Sequence, residues 1–328
     1  MASEPITLPP VFFNHLYLVL DDKTYHAVQG SDFLRIAFPG TERRATLTAA
    51  GETWNGTYFY CQDNYLEFFG SGSGPVAGLA MPGGHWQPGA QEGWAGLAFS
   101  CDQRGGADTV RQKLHAMYGY EPFSELRQLQ TRDRPVNWFY SVKLAERLGL
   151  GSFESWLMEY HPDIFAYKGL PLPASGNLTR EDYLSPWNKP RALPDAPAPV
   201  DRRSPRPKPA SNRPEGGEIP GALAAPVFSH ITGATIHMDS QRAERYAEIL
   251  AALGYTRAWD GETISLSAHG FTLSIQPEAG APEGYRLSSL HLTMARPSVA
   301  PMTFVFAPRS KLVLNQDLTA QWFFGEQA

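Results

Sequence analysis

The chain has 328 residues, 42% of them hydrophobic and 12% aromatic, enough for two or three buried cores and too apolar for a disordered protein. A formal net charge of −5 leaves no basic footprint for nucleic acid, and no apolar run reaches the length of a membrane span. The only cysteines, Cys61 and Cys101, lack CxxC spacing, which argues against a disulfide scaffold or a cysteine zinc site.

In chain order, MASEPITLPP (residues 1–10) has neither the basic start nor the apolar core of a leader, so a cytoplasmic protein is expected. Val11–Leu20 (VFFNHLYLVL) reads as a strand containing His15. Asp21 or Asp22 can cap a helix that turns Tyr25, Val28 and Phe33 inward, and strands follow at 42–49, 56–60 and 64–69. The loop 70–93 carries eight glycines and His85, but no GK[ST] follows, so it is no phosphate cradle. Residues 11–93 thus form a first strand–helix–three-strand module with its loop.

The second module, 94–170, repeats that order. Trp94–Ser100 is strand-like. Asp108–Tyr118 is an amphipathic helix with Val110, Leu114 and Met117 on one face, ended by Gly119. Strands are expected at 124–129, 137–144 and 155–160. Residues 171–226 hold 13 of the 28 prolines and read as an extended linker, part of which packs through Tyr183, Leu184 and Trp187. A third βαβββ-like module spans 227–328. It opens with a strand at 230–238, a helix capped by Ser240 and stopped by Gly254, and strands near 263–267, 271–276, 287–294 and 302–307, with a last apolar stretch at 312–324. The expected class is α+β: two modules forming a cupped mixed sheet and a third, related one after the proline-rich linker.

Strand alternation sets His15 on one face with Phe13, Tyr17 and Val19, and Glu67 on one face with Tyr65 and Phe69. In Ser155–His161, Leu157, Glu159 and His161 share a face opposite Trp156, Met158 and Tyr160. Each acid stands in an apolar strand, where an unpaired carboxylate would cost several kcal/mol. A divalent metal is one partner that would relieve that cost. Glu67 paired with Arg43 or Arg44, Glu159 facing solvent and His15 as a plain core histidine are the bland alternatives. Tyr17, Tyr65, Phe69 and Trp138 suit either a pocket wall or a core. His161 is a candidate proton shuttle or a strand end before Pro162. His85 could reach a site from its loop, while His230, His237 and His291 lack an obvious partner carboxylate. No nucleophile triad, nucleotide fingerprint or HExxH occurs.

The strand–helix–three-strand unit, its helix closing on Gly-Tyr at 119–120 and 254–255, resembles the vicinal oxygen chelate superfamily, which includes glyoxalase I, extradiol dioxygenases, and fosfomycin- and bleomycin-resistance proteins. The likeness is sharpest at HLYLVL, YLEFF and 233–276, and the first 170 residues also resemble uncharacterised bacterial glyoxalase-like proteins. It implies a metal held by His15, Glu67 and Glu159; such a donor set suits Fe, Mn, Zn or Ni, with His161 as the catalytic residue or a metal-bound hydroxide moving protons. The fourth ligand position falls in Trp94–Ser100, which offers no His, Gln, Asp or Glu. The function implied is a metal-dependent isomerase, lyase or dioxygenase acting on a small oxygenated molecule. A metal-free protein that binds or sequesters a small molecule is the alternative, and a homodimer is compatible with either.

Overall fold

The computed structural model describes residues 6–71, 91–144, 148, 152–187, 226–279 and 286–325. The first half runs β1 (Val11–Leu20), α1 (Asp22–Gly30), α2 (Asp32–Ala37), β2 (Gly40–Leu47), β3 (Thr53–Tyr60) and β4 (Tyr65–Gly70). It continues with β5 (Ala95–Cys101), α3 (Gly106–Tyr118), β6 (Ser124–Gln130), β7 (Pro135–Lys143) and β8 (Phe153–Tyr160). Asp21 is the cap that starts α1, its carboxylate accepting from the Thr24 amide at 2.9 Å, and Ser31 breaks the helical stretch by capping α2. Gly119 ends α3 at φ 68°, a backbone state that favours glycine.

These eight strands form one mixed sheet in the order β2-β3-β4-β1-β5-β8-β7-β6. The two modules meet where β1 pairs antiparallel with β5, and each closes on its own first strand through a parallel pair, β1 with β4 and β5 with β8. The sheet curls until its edges touch at one end: Thr48 bridges Leu129, and the Ala49 amide donates to the Gln128 carbonyl at 3.0 Å. An open sheet thereby becomes a cup with a side seam.

After β8 the chain folds back as α4 (Pro162–Lys168) and α5 (Arg180–Leu184) and fills one end of that cup. Tyr183 stacks on Tyr160 with ring centroids 4.2 Å apart, and Trp187 lies flat on Tyr60 at 4.5 Å. Leu184 is fully buried, so the first part of the proline-rich segment is ordered packing.

The second half comprises β9 (Phe228–Asp239), α6 (Ser240–Ala252), β10 (Thr256–Trp259), β11 (Ile264–Ala268), β12 (Phe271–Glu278), β13 (Leu287–Met294), β14 (Met302–Ala307), β15 (Ser310–Leu314) and β16 (Thr319–Phe324). Asp239, and not Ser240, caps α6 by accepting from the Arg242 amide at 3.2 Å. The second sheet has the order β10-β11-β12-β9-β13-β16-β15-β14, the order of the first sheet with β9 in place of β1 and β13 in place of β5. The chain is therefore built of four related units. In the last, irregular residues 295–301 stand where the helix of the others would be.

The two sheets share one core. Phe13 stacks on Phe271 at 4.0 Å, Phe33 on Phe304 at 3.9 Å, and Phe68 meets the fully buried Trp322 at 5.1 Å. Asn64 exchanges two hydrogen bonds with the Ile231 backbone, 3.1 and 3.0 Å long, and the Tyr246 hydroxyl lies 2.7 Å from Ser155 Oγ. One face of the first sheet is thus occupied by this shared core, which leaves the concave face for a site.

Candidate functional site

A β-bulge decides what β1 presents to the cup. The register with β5 shifts between Phe13 and His15, so Asn14 is the extra residue and the parity of the strand changes there. Phe13, expected on the face of His15, instead packs into the core between the sheets. His15, Tyr17 and Val19 face the cup. Beside them in β4, Tyr65 and Glu67 pair in register with His15 and Tyr17, and Phe69 follows on the same face.

The cup holds a cavity of about 100 Å³. Seven aromatic rings wall it, from Tyr17, Trp54, Tyr65, Phe69, Trp138, Phe139 and Trp156. His15 stacks on Tyr65 at 4.4 Å and meets Trp156 edge-on at 5.4 Å. Tyr17 lies against Trp156 at 6.1 Å. The sequence reading missed Trp54 and Trp156, together with the charged lining residues Glu52, Glu125, Arg127, Lys143 and Glu154. Glu154, Trp156 and Met158 alternate along β8 and were legible as one face. Glu52 and Arg127 are not legible locally, because they meet only when the sheet edges close.

The charges at the wall are arranged in pairs. Arg127 spans the seam to Glu52 and also binds Glu125 at 2.8 Å, while Lys143 reaches Glu154 at 3.1 Å. Glu52 is only 4% exposed, and its Oε1 has no hydrogen-bond partner among the described residues. Burial pushes the Glu67 carboxyl up to about 7, with the Arg44 guanidinium and a hydrogen bond from Tyr65 pulling the other way. Burial, and secondly Arg44, hold the His15 imidazole down at about 3. His15 is therefore neutral near pH 7. Its Nδ1 lies 2.8 Å from Asn14 Oδ1, which can only accept, so Nδ1 carries the proton and Nε2 the lone pair.

His15, Glu67, Tyr17, Tyr65, Phe69 and Trp138 thus come together in one cavity, whereas Glu159 and His161 do not. Glu159 points to the opposite face of β8. Its two oxygens accept from the amides of Gly105 and Ala107, each at 2.9 Å, at the start of α3. Both carboxylate oxygens are thus engaged at a helix N-terminus, on the face of β8 away from His15. His161 caps α4, its Nδ1 accepting from the Asp163 amide at 3.1 Å. His85 lies outside the described residues.

The donor set does not fit the expected metal. His15 and Glu67 remain as candidate ligands, Glu52 and Glu154 are committed to cations, and no group of three or more His, Cys, Asp or Glu converges among the described residues. The fourth ligand strand, β5, brings Gly96 opposite Tyr17, and a Cβ at Gly96 would overlap the Tyr17 ring. An aromatic ring fills the space where a ligand from β5 would reach. Protein metal sites for transition ions ordinarily draw on three or four protein donors. No described helix is long and apolar enough to cross a membrane.

Solved structures similar to the chain include a hypothetical protein from Staphylococcus aureus, at 9% identity and TM-score 0.47, covering 90% of this chain and 95% of the other. They also include an extradiol ring-cleaving dioxygenase from B. fuscum, at 11% identity and TM-score 0.39, covering 98% of this chain and 75% of the other. A third is a mutant 4-hydroxymandelate synthase from Streptomyces coelicolor, at 15% identity and TM-score 0.38, covering 82% of this chain and 63% of the other. No curated protein matches the chain in sequence. A family model for a family of unknown function, DUF5829, matches residues 13–196, more than half of the chain, and the chain belongs to that family.

Proposed function

We propose that the protein binds a small organic molecule in the cup of its first sheet, and that it does so without a metal. The observation that carries this reading is the wall itself: seven rings surround the cavity, and the Tyr17 ring covers Gly96 where a β5 ligand would stand. Such a cavity offers mostly apolar area with a few convergent polar groups, the usual make-up of a small-molecule site. In this reading Glu67 and the neutral His15 orient the ligand, and the rings supply its affinity. Residues 162–187 close one end of the cup.

The metal-dependent enzyme implied by the family resemblance keeps His15 and Glu67 as ligands and loses Glu159 and His161. Elemental analysis separates the two readings. Purified protein is expected to carry substoichiometric transition metal and to melt at the same temperature with and without a chelator. A full equivalent of metal that disappears in His15→Ala would overturn the metal-free reading. Fluorescence of Trp54, Trp138 and Trp156 gives the complementary measurement, since a bound molecule would alter their surroundings.

A further inference from the structure

The cavity is acidic as well as aromatic, and the two properties together name a ligand class. Four carboxylates, Glu52, Glu67, Glu125 and Glu154, line it against two cations, Arg127 and Lys143. Both cations are engaged, Arg127 across the seam with Glu52 and Glu125, Lys143 with Glu154 and over the Trp156 ring at 5.6 Å. An incoming anion would have to displace those pairs and would also face Glu67, the lining acid outside them. Glu52 adds the specific signal. Its Oε2 accepts from Thr48 Oγ1 at 3.1 Å and binds Arg127, while its buried Oε1 has no partner among the described residues. A carboxylate in the wall with one oxygen unpartnered keeps part of its negative charge uncompensated, and that field favours a cation in the adjacent cavity.

Aromatic faces attract cations through their quadrupoles, more strongly where water is excluded. We propose that the ligand is a small organic cation, a protonated amine on a compact apolar or single-ring body, whose charge faces the carboxylates of the wall while its body lies among the rings. A cavity near 100 Å³ limits the enclosed part to about the size of one ring. The assignment rests on the reading of the cavity as a small-molecule site and adds the charge of what enters.

The test uses three probes of one shape and different charge on the full-length protein at pH 7.5: benzylamine, benzyl alcohol and phenylacetate, followed by tryptophan fluorescence and calorimetry. Benzylammonium is expected to bind about tenfold more tightly than either of the others, a difference of about 1.4 kcal/mol. Glu52→Gln, confirmed as folded by its melting curve, should reduce that preference, and Glu154→Gln provides a second variant away from the seam. Benzyl alcohol or phenylacetate binding as tightly as benzylammonium would overturn the cationic assignment and leave the small-molecule reading standing. Failure of all three to bind at millimolar concentration would overturn both.

Discussion

At the scale of single residues, Glu67 and His15 impose opposite pH dependences on the same cup. Glu67 titrates near 7 in the folded protein against 4.5 without the fold, so the folded state holds an extra proton between those values. Its favourable contribution is complete below pH 4.5 and is lost as pH rises through 7. Replacement by Gln should therefore stabilise the protein at pH 8 by about 2 kcal/mol, a value below the full shift because the cavity admits water. Urea unfolding at pH 5 and pH 8 measures it, and an unchanged difference between the two pH values would refute it. His15 has the reverse sign: its imidazole stays neutral in the fold down to about 3, so its contribution is present above 6.5 and is lost as pH falls. Gly96→Ala tests the floor. A methyl there collides with Tyr17, and overpacking of this kind costs about 1–3 kcal/mol.

At the scale of elements, Glu159 and the seam carry separate tasks. Glu159 ties the start of α3 to β8 through two backbone amides, and Gly105 at the N-cap offers no side chain for that purpose. Glu159→Ala should destabilise by about 2 kcal/mol, as expected for charge-assisted bonds at a helix N-terminus, while ligand binding in the cup stays unchanged. Loss of binding at full stability would return Glu159 to the site. Arg127→Ala should act on both properties. It leaves Glu52 buried without its cation at the point where β2 meets β6, so it should destabilise the fold and, by baring Glu52 and Glu125, raise the preference for a cationic probe. Thermal melting and fluorescence titration of the same sample read the two effects.

At the scale of the whole molecule, the second sheet acts as the partner that covers the convex face of the first. Phe13, Phe33, Phe59 and Phe68 find their partners in Phe271, Phe304 and Trp322. A chain ended after Trp187 would expose that aromatic face, and patches of this kind drive association. It should bind a hydrophobic dye strongly and elute as aggregates in size-exclusion chromatography. A monodisperse, dye-free truncation would show that the first sheet stands alone.

The order of strands and helices was legible because it follows from local chemistry. Periods of 2 and 3.6 mark the elements, and Asp21 and Gly119 punctuate them. The grouping of Tyr65, Glu67 and Phe69 on one face, and of Leu157, Glu159 and His161 on another, followed from the same alternation. Which face turns inward did not. Both faces of β8 are apolar, Leu157 on one and Trp156 with Met158 on the other, because the second sheet and α3 bury the side opposite the cup. The bulge at Asn14 likewise reverses the parity between Phe13 and His15 with no glycine or proline to announce it. The helix-free fourth unit and the seam joining Glu52 to Arg127 depend on pairings far apart in the chain. The sequence by itself determined the order of elements and, away from the bulge in β1, the alternation along each strand. Only tertiary packing decided which side of each strand became the site, since burial on two faces removes the polar contrast that alternation would otherwise reveal.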